Sequence, residues 1–161
     1  MSAELQDWPA EPAERAKLVV ERMLDELELE GDVEVQEGEE RIDLSVESDE
    51  DLGLLIGRRG QTIDALQLLC YQAAYRGRED RKRVVVDAAG YRDRRRETIA
   101  ARAESAAERA LSSGDGIEMD PMSPQERRVV HEHLKDRPGI ETYSEGDEPH
   151  RFVVVAPIIS E

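Results

Sequence analysis

The sequence predicts an α+β fold in two successive small units, the first ordered α-β-β-α-α-β and the second α-β-α-β-β. Three observations carry this. Apolar residues recur at helical spacing in some segments and alternate in others, so both helices and strands are present. Gly90 follows the last strand of the first unit and opens onto a long charged helix, which marks a boundary. With 161 residues, the chain has room for two small units.

Residues 1–12 hold Pro9 and Pro12 without periodicity and read as a flexible lead-in. The first unit is expected over 13–89. Across 13–29, Ala16, Val19, Val20, Met23, Leu24 and Leu27 share one helical face, and Gly31 is the expected stop. Val33 to Gln36 alternates, Glu37 to Glu40 turns the chain, and Ile42 to Val46 alternates again, predicting a hairpin with one wet face. A short helix over 52–56 leads into Gly57-Arg58-Arg59-Gly60. A strong helix follows over 61–76, with Ile63, Leu66, Leu69, Cys70 and Ala73 inward, and Arg83 to Ala88 is a strand.

The second unit is expected over 91–158, packed on the first through a charged helix over 91–111. Ile117 to Met119 is a short strand. Ser123-Pro124-Gln125-Glu126 sets an N-cap serine, a proline at N1 and a glutamate at N3, the pattern of a capping box. That helix should reach Leu134. Strands over 140–143 and 151–156 follow, joined by the turn-rich stretch 144–149.

Composition narrows the function. No apolar run approaches the roughly 18 residues of a membrane helix, and the acidic start lacks a signal-peptide apolar region. One cysteine, Cys70, precludes an internal disulfide framework and a cysteine-rich zinc site. These features point to the cytoplasm. The net charge of −16 argues against a nucleic-acid binder until it is partitioned. Residues 1–55 hold 4 Lys/Arg against 19 Asp/Glu, residues 56–109 hold 13 against 8, and residues 110–161 hold 5 against 11. The positive charge begins at the glycine loop. With a Debye length of about 8 Å, a local basic face attracts phosphate despite distant acids.

A helix, a Gly-x-x-Gly turn and a second helix place backbone N–H groups near a positive dipole end, where anions bind. Gly57 and Gly60 admit a sugar-phosphate chain without Cβ clash, and Arg58 and Arg59 add bidentate donors. The loop lacks the Gly-Lys-Ser/Thr of a Walker A motif, and no Gly-x-Gly-x-x-Gly follows a strand. Ile56-Gly57-Arg58-Arg59-Gly60-Gln61-Thr62-Ile63 within α-β-β-α-α-β resembles the type II KH domain. The resemblance implies a loop that clamps about four nucleotides, with bases in an adjoining apolar groove formed here by Ile56 and Ile63.

In the second unit, Arg127 and His131 stand four apart, so both are expected to project from one helix face. That spacing, the α-β-α-β-β order and the ending His150-Arg151-Phe152-Val153 resemble the R-three-H domain, a single-stranded nucleic-acid module. The two domains in succession resemble the Jag (KhpB) family over roughly residues 13–158. The stretches 54–62, 122–128 and 148–151 look like its signature segments. The extra amino-terminal domain and charged linker of many members are expected to be missing here.

The resemblance implies single-stranded RNA as ligand, with single-stranded DNA the alternative. It further implies a smaller KH-domain protein partner and links to cell division and envelope growth. The RNA would be held by Ile56, Gly57, Arg58, Arg59, Gly60, Gln61, Thr62 and Ile63, then by Arg127, Arg128, His131 and Arg151. A homodimer through the hairpin edge is a further expectation.

Enzyme readings fare poorly. His131 and His133 lie two apart, pointing about 200° apart on a helix, whereas zincins space their histidines by four. Cys70 sits on an inward stripe, and no serine stands in a nucleophile-elbow pattern. No cofactor, metal or catalytic residue is expected. The alternative of another class is a protein-interaction scaffold that uses the acidic first third and the charged helix as docking surfaces.

Overall fold

The computed structural model describes residues 8–158, which divide into two compact units at Arg92/Asp93. Most of the lead-in expected over 1–12 lies outside the described residues, and Pro12 belongs instead to the first helix.

The first unit contains α1 (Pro12–Glu26), β1 (Asp32–Glu37), β2 (Arg41–Glu47), α2 (Gly53–Ile56), α3 (Gln61–Ala74) and β3 (Arg83–Ala88). β2 is central: β1 pairs with it antiparallel and β3 parallel. The register sets Ile42 beside Val84, Leu44 beside Val86 and Val46 beside Ala88. These six side chains are buried with Ala16, Val20, Leu24, Ile63, Leu66 and Cys70 of α1 and α3. One face of the sheet is therefore sealed by the two helices, as the alternation in β2 and β3 requires.

Two details differ from the sequence expectation. α1 ends at Glu26, five residues before Gly31. Leu29 N–H donates to the Leu24 carbonyl and Glu28 N–H to that of Asp25, with Glu28 at φ 55°. That is a Schellman closure in which glutamate occupies the left-handed position usually held by glycine. Gly31 serves a different need, because a Cβ there would lie 3.2 Å from both the Glu47 carbonyl and Val46 Cγ1. In α3, Leu69 is 52% exposed and Ala74, not Ala73, is fully buried. The helix rests on the core through Ile63, Leu66, Cys70 and Ala74, a narrower stripe than the apolar run suggests.

α4 (Tyr91–Ser113) carries the chain into the second unit, followed by β4 (Ile117–Glu118), α5 (Pro124–Leu134), β5 (Ile140–Glu145) and β6 (Phe152–Pro157). β6 is central and antiparallel to both neighbours. α4 buries Ile99, Ala103, Ala106, Ala107 and Ala110. Its alanines admit the larger Val130, Leu134, Val153 and Val155 into one core. β5 runs two residues beyond the expected Tyr143, so Ser144 and Glu145 are strand residues rather than turn.

Candidate nucleic-acid interface

The glycine loop is built by backbone conformation. Gly57 caps α2 with φ 73° and ψ 173°, a region essentially restricted to glycine. A Cβ there would fall 2.1 Å from Thr62 Oγ1 and 2.8 Å from the Thr62 nitrogen. Arg59 and Gly60 are both left-handed, at φ 55° and 78°, and Gly60 N–H donates to the Gly57 carbonyl at 3.2 Å. A Cβ on Gly60 would lie 2.8 Å from Tyr91 Cε1 and Oη. Gly57 is thus required twice, by conformation and by space, whereas Gly60 takes a left-handed conformation that Arg59 shares and leaves room for the Tyr91 ring.

This turn aims the Arg58 and Arg59 side chains outward, and both residues are exposed. Arg58 has no carboxylate partner among the described residues. Gln61 is exposed and Thr62 half-buried under Gly57. Ile56 is half-buried, but Ile63 has no exposed surface and lies in the core. The groove wall expected from Ile63 is therefore not presented, because the first turn of α3 directs that side chain to the sheet.

α3 is locked in place by a residue that sequence reasoning missed. Arg92 donates to the Val86 carbonyl at 2.7 Å, Asp64 at 3.0 Å and Gln67 Oε1 at 3.0 Å. Gln67 Oε1 also accepts from Val86 N–H. The bonds tie β3 to the helix that follows the loop. One arginine among many gives no sequence signal for such a role.

In the second unit the capping box of α5 is complete. Ser123 Oγ accepts from Glu126 N–H, and Glu126 accepts from Ser123 N–H at 2.9 Å. The other carboxylate oxygen of Glu126 accepts from Arg95 at 2.7 Å, tying α4 to the start of α5. Arg127 does not project into solvent as its spacing suggested. It is 8% exposed, donating to the Met122 carbonyl at 2.9 Å and to Glu148 at 2.6 Å. Its guanidinium braces the β5–β6 connection against the start of α5.

His131 stands one turn later with both ring nitrogens engaged, Nδ1 2.7 Å from Thr142 Oγ1 and Nε2 3.1 Å from Ser144 Oγ. Partial burial, with the Arg127 charge second, holds its pKa below the ordinary imidazole value. The neutral ring is favoured, and the two hydroxyls suit either tautomer. Sequence reasoning missed Thr142 and Ser144. Their signal was the alternation along β5, hidden by reading Ser144 as turn.

Arg128 is exposed and pairs with Glu132 at 2.7 Å. Arg151 is half-buried, its carbonyl accepting from Met122 N–H at 3.1 Å. Its Nε is buried without a hydrogen-bond partner among the described residues. Chemically, the two units offer guanidinium groups, loop backbone and a hydroxyl-bound imidazole. Among the described residues no cluster of His, Cys, Asp and Glu could hold a metal, and no helix is long and apolar enough to cross a membrane.

The family model of the KhpA/KhpB KH domain matches residues 14–87, and that of the R-three-H domain matches residues 97–157. Among similar proteins is the RNA-binding protein KhpB of Clostridium symbiosum, 34% identical over 139 residues, covering 85% of this chain and 62% of the relative. The protein of the same name from Bacillus subtilis is 34% identical over 148 residues, covering 91% of this chain and 71% of the relative. That of Lactiplantibacillus plantarum is 41% identical over 104 residues, 65% of this chain and 32% of the relative. The chain thus spans less than two thirds of the Clostridium protein. Two domain matches in sequence, and identity across most of the chain, place it in the KhpB family, with a KH domain followed by an R-three-H domain.

Proposed function

We propose that the chain is a cytoplasmic single-stranded RNA-binding protein, acting by binding rather than catalysis, in post-transcriptional control of cell division and envelope growth. The observation that carries this reading is the loop. Gly57 in glycine-only geometry and a left-handed Gly60 hold the backbone open, and Arg58 stands outward without a carboxylate partner among the described residues. The names of the relatives point the same way. Gly57, Arg58, Arg59, Gly60, Gln61 and Thr62 take the sugar-phosphate backbone, with Ile56 at its edge and Ile63 supporting from beneath. In the second unit Arg128, Arg151 and His131 form a separate contact surface, and Arg127 holds that surface in shape.

A smaller KH-domain protein is the proposed partner. Leu54 on α2 and Leu68 and Leu69 on α3, all more than half exposed, are apolar surface of the kind such a partner buries. Replacing Arg58 and Arg59 with Asp tests the RNA reading. Ultraviolet crosslinking in cells should recover at least about tenfold less RNA on the variant, since two phosphate contacts become repulsive. Unchanged recovery would favour the scaffold reading.

A further inference from the structure

At the far end of α3 from the glycine loop lies a groove of about 620 Å³, lined by Trp8, Arg15, Gln72, Ala73, Arg76 and Gly77. α3 has 14 residues, so at about 1.5 Å per residue this groove stands about 20 Å from the loop. None of the residues assigned above to RNA lies in it.

Its construction is specific. Arg15 Nε donates to the Pro9 carbonyl at 2.6 Å and Arg78 to the Ala10 carbonyl at 3.2 Å, which pin the stretch bearing Trp8 to α1 and to the segment after α3. The Arg22 guanidinium lies 5.6 Å from the Trp8 ring centroid and steadies the indole. In this acidic chain Arg41, Arg92, Arg95, Arg102, Arg127 and Arg128 all lie against carboxylates. Arg15 and Arg76 do not: neither has a carboxylate partner among the described residues, and Arg76 donates no hydrogen bond there.

The Arg76 guanidinium, the terminal nitrogens of Arg15, an indole and a side-chain amide in one groove suit a ligand that carries both a phosphate and an aromatic ring. We propose that this groove is a nucleotide-binding site, where a base stacks on Trp8 and its phosphate is held by Arg15 and Arg76. Arginine offers planar bidentate donors to phosphate oxygens. An indole face stacks any base. Gln72 supplies both a donor and an acceptor for the base edge or a ribose hydroxyl. The volume falls in the range of small-molecule sites. The same chemistry is carried by a free nucleotide and by one nucleotide of an RNA strand. The proposal rests on the RNA-binding reading only for its choice between bases and other aromatic anions.

Trp8 is the single tryptophan of the chain, so its indole N–H resonance reports on this groove alone. Titrating the full chain with adenosine monophosphate should move that resonance to saturation. Adenosine without phosphate should bind about tenfold or more weakly, and Arg76→Glu should weaken the monophosphate similarly. Arg76 is exposed and donates no bond among the described residues, so its replacement should leave the fold intact, checked by an unchanged urea midpoint.

The variant with Asp at 58 and 59 should keep the monophosphate response, which separates failure of this site from failure of the loop. If an RNA oligomer moves the resonance too, the ligand is a strand; if the monophosphate alone does, it is a free nucleotide. Three results would overturn the proposal: an unmoved indole with the monophosphate, equal binding of adenosine, or an equal response to an oligoglutamate peptide.

Discussion

Gly57 shows what one residue contributes to the interface. Its φ of 73° with ψ of 173° is closed to residues bearing a Cβ, and the Thr62 side chain already fills the space a Cβ would take. Gly57→Ala should destabilise the protein by about 2 kcal/mol or more, read as a lower urea midpoint, and should displace Thr62 and Arg58 with it. An unchanged midpoint would contradict the strained geometry.

His131 contributes a pH dependence whose sign is set by its surroundings. Burial and Arg127 lower its folded pKa below the ordinary 6.5. The unfolded chain therefore binds the proton more readily, and the stability from His131 is complete above about pH 6.5. That stability is lost as the pH falls from there through the lower folded value. His131→Gln should flatten this part of the stability profile, measured by denaturation at several pH values, while a profile as steep as the parent's would exclude His131 as the source. Both glycines of the loop were legible as residue types. The burial of Arg127 was not, because spacing gives the helix face but not what the chain from 148 onward lays over it.

At the scale of elements, most helices and strands were readable because their apolar periods were long and their ends punctuated. β3 and α5 match their expected limits, and the capping box at Ser123 forms both of its bonds. The end of α1 was misread for a physical reason. Glycine is the usual left-handed C′ residue, so Gly31 drew the boundary, yet the Schellman turn closes at Glu28. A non-glycine residue in that conformation carries a steric cost of about 1 kcal/mol. Glu28→Gly should accordingly stabilise the first unit by up to about 1 kcal/mol, seen as a raised midpoint in chemical denaturation. Destabilisation would mean that the glutamate side chain outweighs its backbone strain. β5 was cut short in the sequence reading because Ser144, Glu145 and Gly146 have turn composition. Pairing with β6 overrides that preference and brings Thr142 and Ser144 onto one face beside His131.

Across the whole molecule, the charge distribution reconciles an acidic chain with phosphate recognition. The net charge is −16, but the residues from 56 to 109 hold 13 Lys/Arg against 8 Asp/Glu. Screening over about 8 Å limits the reach of distant acids, whereas direct pairing removes cations one by one. Arg92, Arg95 and Arg102 are taken up by Asp64, Glu126 and Asp120. The partition of charge was visible in the sequence; which arginines stay available was not, since pairing depends on contacts between distant segments. The most direct measurement is the salt dependence of binding of a single-stranded RNA oligomer to the full chain and to the variant with Asp at 58 and 59. Each phosphate neutralised contributes about −0.7 to the slope of log affinity against log salt. The parent chain should weaken steeply with salt, and the variant's slope should be shallower by about 1.4 with lower affinity throughout. Equal slopes and affinities for the two proteins would contradict the assignment of RNA to the glycine loop.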